Sequence, residues 1–347
     1  MKINCGIIGL PNVGKSTLFK SLTDISVKIS NFPFCTIQPN IATIPIPEPR
    51  LYQLNNIVHA HTITPSTIEF IDVAGLIKGA AQGIGLGNKI LNHIQTAKIL
   101  CHVVRCFENH TIFHIENNIN PCRDLNIVDV ELILFDILQC EKNIDFLQKK
   151  KDSINQGTNQ QLIFLKKWLE YLYNGVPLRK LKFSNPEKEI IKNFNFLTFK
   201  PVIYIANINK KEINNIYLHK LNILGVQENI PVISYNPTRN QHKFNEKNTI
   251  NLIINQILSL LKLNTFFTVN KNTVTAWISS MGTTALEAAD LVHSDFQKGF
   301  IRAQVIKIED FIKYKGELGA KKSGNLRYES KHYQLEDGDI LKFLFHM

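Results

Sequence analysis

Gly9-Leu10-Pro11-Asn12-Val13-Gly14-Lys15-Ser16 decides the fold of this chain. It fits G-x-x-x-x-G-K-[ST], follows the apolar run Ile3–Leu10 and opens the helix-like Ser16–Leu22. That strand–loop–helix placement turns a common pattern into a specific one. Glycines at both ends allow backbone conformations that a Cβ forbids, so successive N–H groups can face phosphate oxygens. The helix start adds partial positive charge. Lys15 is placed for the β- and γ-phosphates as the catalytic cation, and Ser16 for Mg²⁺. Asn12, Val13, Gly14, Lys15, Ser16 and Thr17 are therefore the expected nucleotide contacts.

Further runs of the same kind lie at Thr67–Val73, Ile99–Phe107, Pro201–Ile208 and Pro231–Tyr235. Turns or helix-like segments follow most of them, as in a doubly wound, mostly parallel α/β sheet. The gap between the third and fourth runs is too long for one crossover helix. Apolar residues at helical spacing in Asp129–Lys150 and Asn159–Asn174, with the polar turn Lys151–Thr158 between them, predict an inserted antiparallel helical hairpin. At about 22 residues, the first helix would extend roughly 33 Å. Asn185-Pro186-Glu187 marks a third helix start. Beyond about Asn264 the pattern changes to strands at Thr273–Ile278, Gly299–Ile308 and Asp339–Phe345 and a helix at Thr284–Phe296, a small α+β domain. The expected domains are a P-loop domain at 1–128 and 200–264, a helical insert at 129–199 and a terminal domain at 265–347.

Two segments fall where a nucleotide switch needs them. Asp72 ends a strand and can hold the magnesium shell, and the Gly75 amide can meet the γ-phosphate. Thr36, on the loop after the first helix, can close on Mg²⁺ when that phosphate is present. Leu76 stands where Ras-like enzymes carry a water-orienting glutamine, so another group must orient water or hydrolysis is very slow. The glycine-rich Gly79–Gly87 has the composition of a moving switch.

Composition narrows the setting. The 347 residues carry a net charge of +11 and a hydrophobic fraction of 44%, ordinary for a folded chain. Such an excess of Lys and Arg arises by compositional drift or by attraction to a polyphosphate such as RNA. No run approaches the roughly 20 apolar residues of a membrane span, and the first residues lead directly into the phosphate-loop strand, so neither a membrane nor a signal peptide is expected. The six cysteines form no Cys-x-x-Cys pair; reduced thiols and a cytoplasmic setting are expected.

Taken together, Cys5–Thr17, Asn31–Thr36, Asp72–Gly79, Gly85–Asn88 and His102–Glu108 resemble the YchF subgroup of the Obg-related P-loop proteins, the Obg-like ATPases. His293–Ala303 and Asp337–Ile340 resemble the ubiquitin-like β-grasp (TGS) domain of that family. The resemblance covers nearly the whole chain. It implies ribosome association, ATP preferred over GTP and a β-grasp fold for the terminal domain. It also implies a water-positioning role for His114, which matches a histidine the family carries on the loop after Phe107-Glu108-Asn109. Asn12 becomes a candidate for holding K⁺ against the phosphates. For base choice, Asn207-Ile208-Asn209-Lys210 stands where GTPases place Asn-Lys-x-Asp, and the ATP-preferring family version has glutamate at Lys210. Lys210 cannot accept hydrogen bonds from guanine, whereas Asn207 suits adenine N6 and N7; Glu212 is a substitute only if the loop shifts. The second base-contacting loop, Ser234–Asn240, is divergent.

The expected partners are ATP, with GTP weaker, and the ribosome, through large-subunit rRNA; a monomer is expected. Arg302, Lys313, Lys315, Lys321, Lys322, Arg327 and Lys331 in the last domain and Lys149, Lys150 and Lys151 at the hairpin tip would meet phosphates. Two alternatives stay open, a nucleotide-gated binding module with negligible turnover and a GTP-using ribosome factor.

Overall fold

A computed structural model describes residues 2–25, 28–30, 40–73, 79, 87–149, 156–209, 215–237 and 243–346. Contacts divide the chain into two compact units, residues 3–44 with 69–253, and residues 1–2, 45–68 and 254–347.

The larger unit centres on a seven-stranded sheet. In chain order its strands are β1 (Ile3–Ile8), β2 (Lys28–Ser30) and β3 (Asn40–Pro45). After β4 (Thr62–Thr64), which joins the other sheet, come β5 (Thr67–Asp72), β6 (Ile99–Arg105), β7 (Val202–Asn207) and β8 (Val232–Tyr235). Their spatial order is β2-β3-β5-β1-β6-β7-β8. The pairs β1–β6, β6–β7 and β7–β8 are parallel, and β2–β3 is antiparallel. Every residue of β6 and β7 is buried, which explains why these strands read as unbroken apolar runs. The short β2 and β3 escaped the sequence reading because three and six residues of mixed polarity carry little period.

The helices in chain order are α1 (Lys15–Thr23), α2 (Pro49–Val58), α3 (Gly87–Gln95) and α4 (Pro121–Lys149). The 29 residues of α4 begin eight positions before the predicted start at Asp129, because its first turns bury Asp124 and Asp129 beside Leu125 and Val128, and these polar residues interrupt the apolar stripe. α5 (Gln156–Tyr173) packs against it, and α6 (Asn185–Ile191) begins after Ser184, whose N–H and hydroxyl both donate to Glu187. The core of this insert is Trp168, fully buried among Phe164, Phe183, Phe194 and Phe196 with ring centroids 5.9–6.2 Å away. Asp136 of α4 ties the chain's return to the sheet. Its carboxylate accepts from the N–H groups of Leu197 and Thr198 at 2.8 and 2.7 Å and from the Thr198 hydroxyl at 2.6 Å. Burial nonetheless pushes its pKa up to about 6, against those hydrogen bonds.

The sheet of the second unit runs β12-β11-β13-β9-β10-β4, with β9 (Leu263–Val269), β10 (Thr273–Ser280), β11 (Phe300–Lys307), β12 (Arg327–Glu329) and β13 (Asp339–Phe345). Residues 45–68, placed with the nucleotide domain by sequence, cluster here. β4 pairs with β10, and Leu51 and Leu54 of α2 enter a core with Phe267, Ile306 and Phe311. The predicted helix Thr284–Phe296 is two helices, Ala285–Val292 and Ser294–Lys298. His293 between them is extended, and its Nδ1 accepts from the Asp295 N–H to start the second.

Candidate functional site

The site lies in the larger unit, at the carboxyl ends of its central strands, where open α/β sheets place ligands. A cavity of about 420 Å³ has Asn12, Gly14, Lys15, Ser16 and Thr17 on one side and Asn207, Asn209 and Pro237 on another. A third wall is Phe107, Asn109 and Ile112, which the sequence reading did not assign.

The loop glycines are required by geometry. At Gly9, φ is +147° and a Cβ would sit 2.4 Å from the Val103 carbonyl oxygen of β6. At Gly14, φ is +101° and a Cβ would sit 2.1 Å from Asn207 Nδ2. The conformation of Gly14 starts α1 directly at Lys15, and the first bond back into the loop is from Leu18 N–H to the Gly14 carbonyl at 3.0 Å. The three amides before it are orphan donors of the helix start, at the cavity wall.

Lys15 is buried, and its Nζ donates to the Leu10 carbonyl at 2.7 Å. Desolvation pulls its pKa down to about 8 despite the nearby Asp72 carboxylate. The same burial pushes Asp72 up, against the pull of Lys15, and Asp72 Oδ1 is buried without a hydrogen-bond partner among the described residues. An orphan carboxylate oxygen, an exposed Ser16 and a poorly solvated ammonium form a donor set suited to a divalent cation with a polyphosphate. Asn207 braces the loop, donating one amide N–H to the Val13 carbonyl at 2.8 Å. Its Oδ1 is buried without a partner among the described residues, which leaves an acceptor and a second N–H for a base.

His114 is buried, 7% exposed, and does not line this cavity. Its Nε2 lies 3.0 Å from Asp124 Oδ2, and its Nδ1 accepts from the Glu116 N–H at 3.2 Å. Both ring nitrogens are engaged, so the water-positioning role expected from the sequence requires the ring to leave Asp124. Asn12 has φ 62° and donates from Nδ2 to the Phe113 carbonyl at 3.3 Å. Thr36, Gly75, Leu76, Lys210 and Glu212 lie outside the described residues, as do 238–240 of the divergent loop and Lys150 and Lys151 of the hairpin tip. Of the glycine-rich run, Gly79 is described; its N–H donates to Glu131 of α4 at 2.8 Å.

Known proteins resemble this chain along its whole length. The family profile described as "50S ribosome-binding GTPase" matches residues 4–152. The profile of the YchF-GTPase C-terminal domain, described as a protein of unknown function, matches residues 263–346. The chain is 44% identical over 363 aligned residues to the "Ribosome-binding ATPase YchF" of Escherichia coli O157:H7, covering 100% of both chains. It is 45% identical over 362 to the protein of the same name from Buchnera aphidicola of Acyrthosiphon pisum, again covering 100% of both. A solved structure described as the Schizosaccharomyces pombe YchF GTPase superposes with a TM-score of 0.83 at 31% identity, covering 99% of this chain and 98% of that one.

Proposed function

Because the chain belongs to the YchF family, we propose that it is a cytoplasmic, ribosome-binding ATPase, monomeric, whose nucleotide state alters its hold on the large subunit. What supports this reading is the cavity lined by buried Lys15, the first residues of α1 and Asn207, with the Asp72 carboxylate close enough to Lys15 to act on its charge. Lys15 exchanges the Leu10 carbonyl for phosphate oxygens, far stronger acceptors for a desolvated ammonium. Ser16, Asp72 and Thr36 would hold a magnesium ion, which when bound would supply the charge that offsets the phosphates. Asn207 Oδ1 accepts from the adenine amino group, and the Gly75 amide meets the γ-phosphate. Against guanine, Lys210 offers no acceptor, which costs on the order of 1–3 kcal/mol. ATP is therefore favoured by about ten- to a hundredfold over GTP.

For turnover, His114 would leave Asp124 to orient water, and the Asn12 amide oxygen would help hold a potassium ion, which would supply positive charge beside the phosphates. The test is a titration of ATP and GTP with magnesium, followed by single-turnover hydrolysis in KCl and NaCl, with His114→Ala alongside. ATP should bind more tightly, and both the sodium buffer and the variant should slow hydrolysis at least about tenfold with ATP affinity unchanged. Tighter GTP binding overturns the base assignment, and undiminished turnover removes His114 or K⁺. The engaged ring nitrogens of His114 also favour a second reading, a nucleotide-gated ribosome-binding module with negligible turnover. In that case the unaltered chain shows no single-turnover hydrolysis.

For the ribosome, the second unit supplies the charge. Arg302, Lys313, Lys315, Lys321, Lys322 and Lys331 are exposed, and among the described residues none of them has an ion-pair partner. Arg327 is partly spent on Glu329 and Tyr333. Contact with rRNA phosphates through these cations makes binding fall steeply with salt. Changing Lys313, Lys315, Lys321 and Lys322 to Glu should weaken ribosome binding by a hundredfold or more, to about 10⁻² of its value at low salt. It should also flatten the log–log salt slope by about three. Binding that ignores both salt and these changes rules out the surface.

A further inference from the structure

Arg105 is a charged residue at the end of β6, a strand whose seven residues are all buried. It is 2% exposed, and its three nitrogens donate to three carbonyls of the following loop. Nε reaches Phe107 O at 3.1 Å, Nη2 reaches Asn109 O at 2.9 Å and Nη1 reaches Ile112 O at 3.0 Å. Its Cζ also lies 4.9 Å from the centroid of the Phe107 ring. The residues whose carbonyls it holds are the three that form the third wall of the nucleotide cavity. One planar cation thus fixes that wall from behind.

We propose that Arg105 is a positioning residue for the nucleotide base, setting the Phe107–Ile112 wall against which the purine lies. This rests on the reading of the cavity as a purine triphosphate site. The division of labour follows from chemistry. The α1 side carries the amides and the ammonium that suit phosphates, whereas the Phe107 and Ile112 side chains offer an aromatic and an aliphatic face and no charge, as a flat base needs. The fork geometry matters, because only a guanidinium can send donors to three carbonyls spread over six residues; an ammonium on a flexible stem cannot reproduce it.

Arg105→Lys keeps the charge and loses the fork, and Phe107→Leu keeps the fork and loses the ring. ATP and inorganic tripolyphosphate, as a base-free probe, are compared on each by binding and by steady-state kinetics, with urea unfolding as a control. Both variants should raise the ATP Kd and KM by about tenfold or more with kcat within about threefold, and leave tripolyphosphate binding within about twofold. ATP binding like the original chain in both variants overturns the proposal. Equal loss of ATP and tripolyphosphate also overturns it, since that marks a general support of the fold. If the unaltered chain binds neither probe, the nucleotide reading itself fails; if it binds both and only the variants behave otherwise than expected, the fault lies with Arg105 alone.

Discussion

A Lys15→Met chain is expected to be harder to unfold than the original when empty and to gain nothing from ATP. The first half follows from burial. The ammonium has the Leu10 carbonyl and a neighbouring Asp72 to offset its lost water, and its pKa still falls from 10.5 to about 8. A drop of that size corresponds to an upper bound near 3 kcal/mol of strain on the folded state at neutral pH. A methionine of similar shape removes it but leaves Asp72 without its cation, so a net gain of about 1–2 kcal/mol is expected. The second half follows because the triphosphate loses its buried cationic partner, and affinity should drop by about two to three orders of magnitude.

The pH dependence has a definite sign. Lys15 must be charged to bind phosphates, so ATP affinity of the original chain should be level below pH 8 and fall by up to about tenfold per unit above it. In the empty protein the same group acts the other way: between pH 8 and 10.5 the folded state releases its proton before the unfolded one does, and stability rises. Thermal unfolding with and without ATP and magnesium, across pH 7–10, measures both. ATP-induced stabilisation that survives in Lys15→Met would refute the nucleotide site.

Gly14→Ala should be the more damaging change to the fold. The residue has φ +101°, where any Cβ is strained, and that Cβ would sit 2.1 Å from Asn207 Nδ2 and 3.1 Å from its Cγ. Asn207 has no room to retreat, being 3% exposed and bonded to the Val13 carbonyl. Backbone strain and overpacking together should cost about 2–4 kcal/mol, and the displaced loop should lose ATP by at least about a hundredfold. Since part of that cost is the collision, Asn207→Ala should partly relieve it. The double variant should be more stable than the sum of the two singles by about 1–2 kcal/mol in urea unfolding. Strict additivity would mean that the two residues do not touch as described.

Much of this was readable in one dimension. Gly9, Gly14 and Lys15 occupy fixed spacings between a strand and a helix, and each has its own steric or electrostatic reason, so local pattern was enough to place the phosphate end of the site. The hairpin insert was legible through helical spacing, although the first turns of α4 were missed where buried Asp124 and Asp129 interrupt the apolar stripe. Asp72 is a candidate because it ends an apolar strand. His114 is a candidate by resemblance, while its engagement with Asp124 and Glu116 is not visible in any run of residues.

By itself, then, the sequence determined the nucleotide loop, the parallel sheet that presents it, the helical insert and the basic surface of the second unit. These are consequences of short-range sterics, periodicity and charge count, which neighbouring residues settle among themselves. Only the tertiary structure decided the third wall of the cavity, the grip of Arg105 on it, the brace from Asn207 to Val13 and the capture of residues 45–68 by the second sheet. Those depend on carbonyls and side chains brought together from distant points of the chain, and a donor's partner across a fold leaves no mark in the order of its neighbours.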